Sequence, residues 1–159
     1  MRSLFTAALA ISLCLSARAA DVEFVRVWPG WQDADSFRRI SEYFTGVENT
    51  GGIIIRRSQP DIRSGFYFLV RVKHPRVALT GARFVLHFIA PYAPEPQEKA
   101  FTVDAPPGEH VFDLGLTGGD WTGRHAHLVA WKLELLSADG LSLASAESFL
   151  WSKPAGVHD

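Results

Sequence analysis

Sulfur is nearly absent from this chain of 159 residues, which has one cysteine and one methionine. A single cysteine makes no internal disulfide and no CxxC metal or redox site. Neither sign of charge dominates: 16 basic residues face 17 acidic ones, so the basic footprint of a nucleic-acid binder is missing. Long apolar runs are missing too. Beyond the first twenty residues the longest uncharged stretch, Phe84 to Pro94, includes His87 and two prolines. A membrane-spanning helix needs roughly 20 apolar residues. There is no G-x-S-x-G, so nothing marks a nucleophile elbow. No cofactor motif is present, and none is expected to be bound.

Both sulfur residues sit at the start. Met1 and Arg2 precede an apolar run, Leu4 to Leu15, that contains Cys14; small residues then lead to Ala17-Arg18-Ala19. A charged start, a short apolar stretch and an A-x-A ending predict a secretory signal peptide over residues 1–19. Lipidation of Cys14 is disfavoured, because bulky Leu13 and Leu15 flank it. Removing residues 1–19 takes away Arg2 and Arg18, leaving 14 basic against 17 acidic residues, a net charge of −3. The expected mature protein, 20–159, is then a single domain free of sulfur, periplasmic or secreted, with no cysteine chemistry.

Hydrophobic patterning predicts strands. In Gly65–His74, Phe66, Phe68, Val70 and Val72 alternate with Tyr67, Arg71 and Lys73, so one face is core and the other wet. Gly81–Ala90 repeats this with Ala82, Phe84, Leu86 and Phe88 inward, and His110–Leu116 with Phe112, Leu114 and Leu116 inward. Val22–Trp28, ended by Pro29-Gly30, and the short Ile53–Arg57 and Ala100–Asp104 add three more; Pro91, Pro94 and Pro96 mark a loop. His125–Leu136 and Leu141–Trp151 read as a closing hairpin turned by Ala138-Asp139-Gly140, a type I turn with Gly140 in a bulge. That register pairs Leu135 with Leu143, Leu133 with Ser145, Trp131 with Glu147, Val129 with Phe149 and His127 with Trp151. One short helix is expected over Asp35–Phe44, burying Phe37, Ile40 and Phe44, with Asp33, Asp35 or Ser36 capping it and Gly46 beyond its end.

About eight strands and one helix near the N-terminus predict an all-β fold, an antiparallel β-sandwich. No βα alternation supports a parallel sheet. The closing hairpin resembles the last strands of bacterial immunoglobulin-like modules, though the Cys-Trp-Cys framework of antibody domains is absent.

Candidate chemistry is sparse. His125 and His127, two apart on an expected strand, would face one side as a metal pair does, with Asp120 or His110 as a third ligand. Asp33-Ala34-Asp35 fails as a calcium loop, since the glycine and glutamate positions hold Arg38 and Phe44. Asp104, Asp113, Asp120, Glu134 and Glu147 lie on or near strands, but spacing pairs none of them for acid–base work. The aromatic content is high, and Trp31 and Trp121 lie in expected loops as a platform for a sugar or protein. Arg38-Arg39, with Arg56-Arg57 and Arg63, form a candidate basic patch.

The leading expectation is a non-enzymatic binding module of a bacterial envelope, with Trp31, Arg38, Arg39 and Trp121 contacting a protein or carbohydrate. A metal enzyme or carrier at His125 and His127, and a structural accessory that pairs through a sheet edge, are the alternatives. Oligomeric state is left open.

Overall fold

The computed structural model describes residues 21–152. The expected signal peptide and its cleavage point lie outside those residues. Eight strands follow in order: β1 (Glu23–Gln32), β2 (Ile54–Arg57), β3 (Gly65–His74), β4 (Leu79–Ala90), β5 (Ala93–Ala105), β6 (Gly108–Thr117), β7 (Ala130–Leu136) and β8 (Ser142–Glu147). They form two four-stranded sheets, ordered β1-β3-β6-β2 and β5-β4-β7-β8. β2 aside, this is the immunoglobulin-like arrangement, with A-B-E on one sheet and C′-C-F-G on the other. The added strand β2 runs parallel to β6, Ile54 opposite Phe112, at the far edge from β1.

The alternating positions build the core. Phe66, Phe68, Val70 and Val72 of β3 face Phe84, Leu86 and Phe88 of β4, with Phe112, Leu114, Leu116, Leu133 and Leu135 between them, all buried. Each such side chain contributes about 1.5–3 kcal/mol by leaving water. The inward faces of β3, β4 and β6 follow the expected alternation, whereas Tyr67 and Asp113 on the expected wet faces of β3 and β6 are buried. No helix among the described residues is long and apolar enough to cross a membrane.

Two strands run through expected breaks. β1 continues across Pro29-Gly30, and β5 starts at Ala93 and contains Pro94 and Pro96. Both are edge strands, where a missing N–H can face solvent without costing a ladder bond.

The closing hairpin differs in register. Its turn forms as expected: Gly140 N–H donates to Ser137 O (3.0 Å), and Gly140 has φ 88°. Leu136 then faces Ser142, but the next pair is Leu135 with Ala144. Leu143 is therefore an extra residue in β8, and every later pair slips by one. Leu133 faces Ala146 and Glu147 faces Lys132, not Trp131. This removes the acid from the apolar face. The ladder ends there because Ser148 takes over: its hydroxyl accepts from Trp131 N–H (3.0 Å), and its carbonyl receives Trp151 N–H (3.0 Å) to open the short helix α2 (Phe149–Ser152). His125–Val129 is a turn and loop, not strand.

The N-terminal helix is also corrected. Residues Ala34–Phe37 form a 3₁₀ turn, Arg38 and Arg39 are extended, and a helix α1 covers only Ile40–Thr45. The two extended residues break the helical phase, so Ile40 and Phe44 no longer share a face with Phe37. Phe37 is buried; Ile40 and Phe44 are exposed. No side chain caps either start, while Gly46 ends α1 at φ 67°.

Candidate functional site

Consecutive strands β1 and β2 lie on opposite edges of one sheet. Their connection, residues 33–53, must therefore cross β3 and β6. It does so over the outer face as a strap, and this explains a connection far longer than the usual four to six residues or so.

Three anchors hold the strap down. The Phe37 ring lies 4.9 Å from the Tyr67 ring of β3, and the Arg57 guanidinium sits 4.9 Å over Phe37. Arg57 donates two hydrogen bonds to Glu48 (3.0 and 2.6 Å) and one to the Tyr67 hydroxyl (2.9 Å). Arg63 pairs with Glu42 of α1 (2.6 Å). Tyr67 in turn donates to the Arg63 carbonyl (2.5 Å). The bonds from Arg57 hold the Glu48 carboxyl below its ordinary range, against the opposing effect of burial. Burial pushes the Tyr67 phenol up. Tyr67 lies flat because Gly115 is beneath it: a Cβ there would stand 2.4 Å from the ring.

Under the strap is a cavity of about 200 Å³, lined by Gln32, Arg39, Asn49, Ile55, Leu69 and Asp113 among others. Asp113 of β6 forms its base and is 2% exposed. Gln32 Nε2 donates to both carboxylate oxygens (3.0 and 3.3 Å). Burial pushes the carboxyl up to about 6, and the Gln32 hydrogen bond and the charge of Arg57 only partly oppose it.

On the strap's outer side, α1 and its C-terminal extension present Ile40, Tyr43, Phe44 and Val47, which are 78, 74, 86 and 67% exposed. Within α1 the spacing of Ile40, Tyr43 and Phe44, i, i+3 and i+4, is that of a helical face that ordinarily packs on a core, and Val47 follows just past Gly46.

The expected site residues are dispersed. Arg39 is on the cavity wall; Arg38 is exposed and pairs with Asp35 (3.3 Å). Trp31 is half-buried on β1, its indole N–H donating to Asp33 (3.2 Å). Trp121 corrects the expectation of a surface platform: it is buried against Phe66 (4.7 Å), donating to the Gly123 carbonyl (3.1 Å). The basic patch does not assemble either, since Arg57 and Arg63 are committed to Glu48 and Glu42, and Arg56 donates to the Thr102 carbonyl (3.0 Å).

His125 and His127 are exposed, and without a strand they are not fixed on one side. Asp120 pairs with Lys99 (2.6 Å). His110 lies at the opposite end of β6, stacked near His74 (5.1 Å). Among the described residues no group of three or more His, Cys, Asp or Glu could hold a metal ion.

The sequence marks Asp113 only as one of five acids on or near strands, and alternation puts it on a wet face. The one signal for its burial is the length of the β1–β2 connection. The chain matches no protein-family model and no curated protein.

Proposed function

We propose that the protein is a non-enzymatic binding module of the bacterial envelope, periplasmic or secreted, that docks a protein partner on the strap. The observation that carries this reading is the exposed stripe Ile40, Tyr43, Phe44 and Val47. Contiguous exposed apolar side chains mark interaction surfaces. Ile40, Tyr43 and Phe44, at helical spacing on α1, are the kind of anchors a partner's groove receives. The aromatics that a sugar platform would use lean the other way: Trp121 is buried and Trp31 is half-buried. This favours a protein over a carbohydrate. The ion pairs of Arg57 and Arg63 fix the strap beforehand, so less ordering is needed on docking.

The test is crosslinking capture from the native envelope with the wild-type chain and with a Tyr43→Ser/Phe44→Ser variant. An unchanged unfolding midpoint with capture of a defined species reduced about tenfold or more supports the reading. Equal capture by both chains, or no crosslinked species with either, overturns it.

A further inference from the structure

The cavity beneath the strap holds a buried carboxylate, Asp113, to which no cation is bonded among the described residues. The Asp113 carboxylate is bonded by the neutral Gln32 amide and by no cation. Arg57, whose charge reaches it, is committed to Glu48 and Tyr67. Arg39 lines the same cavity, yet no ion pair joins it to Asp113 among the described residues. A buried carboxylate without a counter-ion is costly, and a cationic donor offsets that cost best. The space, about 200 Å³, is below the roughly 300–1,000 Å³ of pockets for drug-sized ligands, so its occupant is small. Ile55 and Leu69 give that occupant an apolar wall.

Two opposite charges thus line one cavity without meeting. We propose that the cavity binds a small zwitterionic amino-carboxylate, its ammonium on Asp113 and its carboxylate on the Arg39 guanidinium. The ammonium supplies the missing counter-ion. The guanidinium offers a carboxylate paired donors. No bond is made or broken, and the site is independent of the partner-docking stripe.

The experiment is calorimetric titration of the full chain with glycine, β-alanine and γ-aminobutyrate, which carry the two charges at increasing separation. Ethylamine, acetate and glucose are the single-charge and neutral probes. One zwitterion should bind with a Kd of about 1 mM or lower, at least about tenfold tighter than ethylamine or acetate. Asp113→Asn should weaken it about tenfold or more, to the level of acetate, and Arg39→Ala by a similar factor, to the level of ethylamine. A carbon-13 titration of the Asp113 carboxyl in the wild type gives a readout that needs no variant. The free protein should titrate near 6, and the bound form lower. Failure of all three zwitterions to bind below about 10 mM, retention of binding in Asp113→Asn, or acetate binding as tightly as the zwitterions would each overturn the assignment.

Discussion

Arg57 and Glu48 form a two-bond ion pair, 3.0 and 2.6 Å, that joins the edge of the sheet to the strap lying across it. Arg57 is almost wholly enclosed, with 9% of its side chain exposed. Arg57→Ala removes both hydrogen bonds to the Glu48 carboxylate and the one the Tyr67 hydroxyl accepts, leaving Glu48 only Arg63 at 3.9 Å. The unfolding free energy should fall by about 3 kcal/mol, the usual loss when one member of a buried pair is removed. Arg57→Lys keeps the charge but not the planar fork, and should recover only part of it. Urea unfolding at pH 7 measures both.

The same pair sets an acid limit. Glu48 is held below its ordinary value of 4.5 by the bonds from Arg57. The stability it contributes is full above that unfolded value and is lost as pH falls through the lowered folded value. Glu48→Gln should flatten this acid-side slope. Urea midpoints between pH 3 and pH 7, roughly the carboxylate range, test it.

Asp113 works in the opposite direction. Its folded value, about 6, lies above the ordinary 3.8, so folding favours the protonated form. The penalty is absent below the unfolded value, grows as pH rises between the two, and is complete above about 6. Asp113→Asn removes the charge and keeps an acceptor for Gln32. It should stabilise the protein at pH 7.5 by on the order of 2–3 kcal/mol, and by almost nothing near pH 4. Equal midpoints at both pH values would contradict the placement of this carboxyl.

Phe37 and Phe44 are seven residues apart and have opposite roles. Phe37→Ala empties a contact with Tyr67 and Arg57 and should cost about 3 kcal/mol or more. Phe44→Ala, on an exposed ring, should change stability by no more than about 0.5 kcal/mol. Paired thermal or urea melts distinguish the two.

Gly115→Ala puts a Cβ 2.4 Å from the nearest Tyr67 ring atom. Tyr67 must lift, and its bonds with Arg57 and the Arg63 carbonyl stretch with it. A loss of about 1–3 kcal/mol is expected from overpacking of this kind. Near-ultraviolet circular dichroism of the tyrosine band should change in step with the unfolding midpoint.

Much of the sandwich is legible in the sequence because the inward positions of Phe66 to Val72, Ala82 to Phe88 and Phe112 to Leu116 recur at every second residue, although Tyr67 and Asp113 on the other face are buried as well. The edges are harder to read. Pro29, Pro94 and Pro96 look like breaks until one knows that their strands have a neighbour on only one side. The slip in the last hairpin is invisible because one inserted residue, Leu143, leaves the composition of β8 unchanged.

The candidate site is less legible still. The phase of a helical stripe across Phe37, Ile40 and Phe44 holds only if Arg38 and Arg39 stay helical, and both are extended. Nothing local reports that. Burial of Asp113 depends on which segment crosses β6, a tertiary fact. Arg39 is recoverable as a candidate from sequence; its opposing acid is not.

The parallel pairing of β2 with β6 bears on how the strap opens. Ile54 and Phe112 are partners 58 positions apart (112 − 54), whereas β4 with β5, and β7 with β8, close through tight local turns. Long-range pairings are closed slowly, because the loop entropy must be overcome before the contacts form. β2 pairs with β6 alone, at the edge of the sheet. The strap, which leads into this edge strand, is therefore expected to open before the central strands. Amide hydrogens of Ile54–Arg57 should exchange through a smaller opening than those of Phe66–Val72 in the central strand β3. The exposed apolar stripe of α1 and the cavity under the strap then belong to one cooperative unit, which can loosen while the two-sheet core stays folded.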